Sequence, residues 1–165
     1  MKKYIIAIIL CILFWGCVPV VDMGFTNNAN YKISIYSNLI PPHDYSNPVV
    51  YPDTTLPYSK SPQMRDVEAG RSCVYSQTSA TIEQRYAGYN TDTISIFVFS
   101  FDTLNSFGWD AVRNTYNVLQ RYDISILDYN SLSDFPTFPP SEEMRNIKMW
   151  PPYGTYDENG HRVKP

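Results

Sequence analysis

Hydrophobic positions change period several times along this chain. Residues 4–15, Tyr-Ile-Ile-Ala-Ile-Ile-Leu-Cys-Ile-Leu-Phe-Trp, are apolar throughout. Between Asn30 and Ser37 apolar and polar positions alternate. Tyr31, Ile33 and Ile35 fall on one side, and Lys32, Ser34 and Tyr36 on the other. That alternation predicts a half-buried strand. Residues 93–101, TISIFVFSF, are apolar on both sides: Ile94, Ile96 and Val98 interleave with Phe97, Phe99 and Phe101. A strand covered on both faces reads this way, so this segment belongs in the middle of a sheet. Residues 71–75 and 80–86 are read as two further strands, the first entered through a turn at Gly70 and the second left through Gly88-Tyr89-Asn90.

After the central strand the period becomes helical. Trp109, Val112 and Tyr116 share one face, which predicts a helix over 107–116, with Ser106 or Gly108 as N-cap and Asp110 in the first turn. Asn117 to Asp123 either continues the helix or turns to a strand, and the strand is the favoured reading. Ser125-Ile126-Leu127-Asp128 fits a looser capping box, with Asp where Glu or Gln is commoner, and opens a short helix to about Leu132. Residues 141–147 lie between Phe138-Pro139-Pro140 and Trp150-Pro151-Pro152 and read as one or two helical turns, with Ser141 as cap and Glu142 and Glu143 behind it.

The remaining segments lack periodicity. Residues 38–62 hold six prolines, which lack a donor and fix φ, so they read as a long proline-rich loop with one short edge strand at 49–51. Residues 17–24 read as a tether, and the polar stretch 153–165, with its Asn159-Gly160 turn signal, as a flexible tail. The expected architecture is α+β over residues 25–152. It comprises an antiparallel or mixed sheet with its central strand near 93–101 and two or three short helices in the C-terminal half.

Lys2 and Lys3 before the apolar run make a secretory leader of residues 1–16. The run is shorter than the roughly 20 apolar residues a spanning helix needs. It closes on Gly16-Cys17. A small residue followed directly by cysteine resembles the lipobox of bacterial lipoproteins. The resemblance implies that Cys17 carries a diacylglycerol on its thiol, that the chain is cut before it, and that its new amine is acylated. Phe14-Trp15 stand where that pattern usually has leucine and a small residue, and Cys11 follows Leu10 in mid-run. A plain secreted protein is the alternative. Two or more acyl chains hold a protein stably in a bilayer, so the lipobox reading implies a lipid-anchored protein of the cell envelope. The acidic cluster that often follows the cysteine in surface-exported lipoproteins of the Bacteroides group is missing, which favours an outer-membrane, periplasm-facing position.

Loss of both lysines with the leader takes the 13 basic residues to 11 against 16 acidic ones, a net charge of −5. An acidic chain argues against nucleic acid or anionic lipid as the partner. With Cys17 acylated, Cys73 is the last thiol, so the fold depends on its core rather than on a disulfide. A lone thiol of this kind is usually a small buried hydrophobe.

Motifs for chemistry are sparse. The histidines are His43 and His161, and there is no CxxC, HExxH or Asp-rich calcium loop, so no metal site or cofactor is expected. There is no Gly-x-Ser-x-Gly. A Cys73–His43 pair or two facing carboxylates remain the hydrolytic alternatives. Aromatic residues make up 15% of the chain, 14 of them tyrosine. Tyr45, Tyr51 and Tyr58 sit in the proline-rich loop near His43, Asp44 and Asp53. Tyrosine offers a flat apolar face with a polar handle, suited to a protein or glycan surface; the same rings could instead pack the loop onto the body.

The segment SIFVFSFDTL, the Trp109-Asp110 that opens a helix, and Arg121-Tyr122-Asp123 before the last short helix resemble a group of small uncharacterised lipoproteins common in gut Bacteroidetes. The likeness spans about residues 25–152 and is strongest from Ile94 to Asp128. It implies a lipidated Cys17 and a Gram-negative envelope, and it carries over no catalytic residue. The expected function is that of a non-catalytic, membrane-tethered lipoprotein that binds or scaffolds a protein or glycan. The alternative is an envelope hydrolase using Cys73 or paired carboxylates.

Overall fold

The computed structural model describes residues 21–37, 56, 63–88 and 92–163. The element order is β1 (Val21–Asn27), β2 (Ile33–Ser37), β3 (Arg65–Val67), β4 (Arg71–Thr78), α1 (Ile82–Gly88), β5 (Thr93–Ser100), α2 (Phe101–Thr115), β6 (Gln120–Ser125), α3 (Ile126–Ser131), β7 (Thr137–Phe138), a 3-10 turn (Glu142–Met144) and β8 (Lys148–Trp150). These elements make an α+β domain with two sheets, of order β4-β1-β7 and β3-β2-β5-β6-β8. The larger sheet is antiparallel throughout, and β7 joins β1 in parallel.

The double-sided pattern of TISIFVFS places β5 in the centre of the larger sheet, as its composition predicts. One face, from Ile33, Ile35, Ile94, Ile96, Tyr122 and Ile124, packs into the main core with Met23, Phe25 and Phe138 of the smaller sheet. The other face carries a second core of Tyr36, Phe97 and Phe99 under Val112 of α2, with Val118 and Leu56. Leu56, from the proline-rich stretch, is buried there. β2 is therefore covered on both faces rather than half-buried: Ser34 and Tyr36 are buried as fully as Ile33 and Ile35. Its alternation marks two environments, one apolar and one mixed, and not core against solvent.

The helices follow their caps. In α3, Ser125 Oγ accepts from Asp128 N at 3.1 Å while Asp128 Oδ2 accepts from Ser125 N at 3.0 Å, so the looser capping box forms as read. α2 starts earlier than expected, at Phe101, because Ser100 Oγ accepts from Thr103 N at 3.2 Å. Gly108, expected as a possible cap, instead breaks the helix at φ 76° and ψ 169°. Most of the stretch 80–86, expected as a strand, lies in α1, which begins at Ile82. Thr81 and Gln84 form a reciprocal capping box, with Gln84 N to Thr81 Oγ1 at 3.2 Å and Thr81 N to Gln84 Oε1 at 2.9 Å. Residues 142–144 form a 3-10 turn, and Ser141 precedes it without a side-chain cap bond.

Both ends of the described chain are more ordered than their composition predicts. Val21 to Gly24, the last part of the expected tether, already belong to β1, paired with β4. The expected flexible tail is docked as far as Val163. Asp157 Oδ1 accepts from Asn159 N and His161 N, both at 2.9 Å, which closes the Asn-Gly turn. Tyr31 then donates to Gly160 O at 2.7 Å and Tyr156 to Leu119 O at 2.6 Å. Aromatic anchors thus hold a polar segment that carries too few apolar residues to signal burial by itself.

Candidate functional site

Of the residues chosen from sequence, Cys17, Tyr45, Tyr51 and Tyr58 lie outside the described residues, as do His43 and the edge strand at 49–51. Cys73 is described. It stands on β4 opposite Phe25 of β1, half-buried at the margin of the main core. Burial pushes its thiol up, and the weaker opposing effects of the Phe25 backbone and Arg65 do not offset it. Among the described residues, no imidazole is among the groups that act on it. His161 approaches Asp157 at 3.7 Å and lies against the Tyr31 ring. A nucleophilic cysteine needs a depressed pKa in a cationic setting, and the environment of Cys73 acts the other way.

A polar cluster that sequence reasoning missed lies on the second face of the larger sheet. The β5–β6 register sets Ser95 opposite Asp123 and Phe97 opposite Arg121. Ser95 Oγ donates to Asp123 Oδ1 at 2.6 Å, and Arg121 Nε donates to the same oxygen at 3.0 Å. The guanidinium sits 5.1 Å from the centre of the Phe97 ring. All three polar residues are at most 4% exposed. The pattern extends sideways, because β8 places Trp150 opposite Arg121 and Lys148 opposite Asp123, while β2 places Tyr36 opposite Phe97. Trp150 also meets Tyr116 at 5.4 Å between ring centres. The one signal in the sequence was Arg-x-Asp at period two on a predicted strand.

This arrangement has a clear chemical character. Two donors converge on one carboxylate oxygen, which ties β5 to β6 and neutralises a buried guanidinium. A serine nucleophile would need a base poised to take its proton and an opening for substrate. Ser95 does donate to a carboxylate, but that oxygen also accepts from Arg121 and all three side chains are buried, so the opening is what the cluster lacks. A separate cavity of about 230 Å³ runs along α2, lined by Thr103, Phe107, Ala111, Val112, Thr115 and Asn117. Among the described residues its lining has no ionisable side chain, so this part of it offers room for an apolar group rather than acid–base chemistry.

Among the described residues no three His, Cys, Asp or Glu side chains group closely enough to hold a metal ion, and no helix is long and apolar enough to cross a membrane. No protein-family model, curated protein or solved structure matches this chain.

Proposed function

We propose that the protein is a non-catalytic envelope lipoprotein, anchored to the outer membrane through Cys17 and facing the periplasm, that binds or scaffolds a protein or glycan partner. One observation carries this reading: the apolar leader closes on Gly16-Cys17, four residues before the first strand. Two features of the described domain support its non-catalytic side. The Cys73 thiol is pushed up by burial, and the Ser95–Asp123–Arg121 cluster is enclosed.

The test is intact-mass analysis of protein extracted from envelopes, beside a Cys17→Ala variant. A chain that starts at Cys17 and carries acyl mass, with the variant released from the membrane fraction, is the expected result. A bare thiol at position 17, or a leader still attached, overturns the anchor. Cross-linking of the anchored protein at native abundance should then recover a stoichiometric protein or glycan; an empty capture overturns the binding role.

A further inference from the structure

From the placement of β1, we infer that the domain rests on the bilayer that holds its own anchor, through the end formed by the start of β1, the start of α1 and the outer face of α3, with Leu127 as the contact residue. This inference rests on the acylated Cys17 proposed above. Cys17 and Val21 are four steps apart, so even a fully extended link spans at most about 14 Å. β1 itself, seven residues long, spans about 20 Å. The link is shorter than the strand it feeds, and it holds the Val21 end of the domain at the lipid surface.

The structure shows what else lies at that end. Val21 pairs with Thr78, the last residue of β4, and α1 begins at Ile82 just beyond it. α1 touches α3 through Asn130 Nδ2 to Glu83 Oε1 at 3.0 Å. Tyr129 of α3 lies close enough to Gly24 and Asp22 of β1 for both to act on its hydroxyl. α3 packs inward through Ile126 and Tyr129 and leaves Leu127 outward. Leu127 is 81% exposed, the highest value among the large apolar side chains described as exposed. A leucine this bare, beside an anchor this short, matches an interfacial contact in which apolar area enters the headgroup boundary. Asp22, Asp134 and Arg85 act on Tyr129, Glu83 bonds Asn130, Asp128 acts on Tyr86 and the Asp92 carbonyl accepts from Ile126 N, so this end is net acidic and the lipid that suits it is zwitterionic rather than anionic.

Hydrogen exchange on the full-length, natively processed protein in phosphatidylethanolamine–phosphatidylcholine vesicles tests the orientation. Residues 79–84 and 126–131 should exchange about threefold or more slowly than in Cys17→Ala protein mixed with the same vesicles. The turn at 157–161, which docks against Tyr31 beyond the far end of β1, should exchange equally in both. A Leu127→Gln variant that is still acylated should lose the protection at 126–131, and its side chain is too exposed for the change to unfold the domain. Intact mass of the same sample separates the two ways of failing. Acylated protein with no protection at α3, or with protection at 157–161 instead, overturns the orientation alone. A bare Cys17 overturns both the orientation and the anchor.

Discussion

Arg121 and Asp123 stand two residues apart on β6 and pair at 3.0 Å with side chains 1% and 3% exposed. A strand's period of two puts both on one face, and the chain encloses the pair instead of presenting it. Removing one partner of a buried ion pair leaves the other charge in the interior and costs about 3–5 kcal/mol. Asp123→Ala should therefore lose about that much stability in urea unfolding. Arg121→Met combined with Asp123→Leu should recover most of it, because a well-packed apolar replacement of a buried pair is often neutral. A single variant as stable as the parent would refute the clamp.

Gly24 sits where β1 shifts register against β4. A Cβ there would lie 2.5 Å from the Phe135 ring and 2.7 Å from the Cys73 carbonyl oxygen. The ring can rotate aside but the carbonyl belongs to the ladder. Gly24→Ala should cost about 1–3 kcal/mol, the usual range for overpacking. Adding Phe135→Ala should return only part of it. Full recovery in the double variant would mean that the carbonyl contact is harmless.

The parts of the fold legible in the sequence are those whose residues report their own surroundings. β5 showed its central place because both of its faces are apolar, and α3 announced itself by Ser125 and Asp128. α1 went unread although Thr81-Ile82-Glu83-Gln84 spells a capping box, because its short span alternates well enough to pass for a strand. The docked tail was not legible, since it is held at Tyr31 and at the Leu119 carbonyl, positions far from it in sequence. The Ser95–Asp123–Arg121 cluster was hidden for the same reason: it exists through a β5–β6 register that pattern alone does not fix. Cys17 is the opposite case, a residue read entirely from its sequence neighbours.

The two reciprocal caps allow a paired comparison. Ser125→Ala and Thr81→Ala each remove a hydroxyl that accepts a backbone N–H. Each should cost about 0.5–2 kcal/mol. The Ser125 change should be the larger, because its hydroxyl also donates to Asp128 Oδ2 at 2.6 Å in a part-buried setting, whereas the Thr81 cap is exposed. Thermal unfolding of the two variants checks both size and order, and a larger loss from Thr81→Ala would reverse the assignment.

Burial of the Cys73 thiol sets its reactivity. With its pKa raised, it should alkylate with iodoacetamide about tenfold or more slowly at pH 8 than an unhindered thiol of pKa about 8.5. Unfolding in urea should restore the ordinary rate. Peptide mapping of the labelled protein assigns the reaction to position 73. A folded-state rate above that of a free thiol would instead point to an activated nucleophile and revive the hydrolase alternative.

Stability should fall at both extremes of pH, for opposite reasons. Glu83, Glu142 and Glu143 are held below the ordinary 4.5, first by the Glu83 backbone, Arg145 and the Ser133 backbone respectively. A lowered folded pKa gives stability that is present above the ordinary value and lost as pH falls through the folded one. All three carboxylates are solvent-exposed, so this acid limb should be shallow and should begin below about pH 4.5. The alkaline limb should be steeper. Burial pushes Tyr31 and Tyr129 up to about 12 and raises Tyr75, Tyr86 and Tyr122 as well. A raised folded pKa gives stability that is complete below the ordinary 10 and lost as pH climbs toward the folded value. Melting temperature against pH should therefore be level in the neutral range, decline gently in acid and drop sharply above about pH 10. Tyrosinate absorbance should rise together with unfolding in alkali for these five side chains. If the folded protein ionised all of its tyrosines near pH 10 without unfolding, the tyrosines that anchor the tail and the main core would have to be open to water.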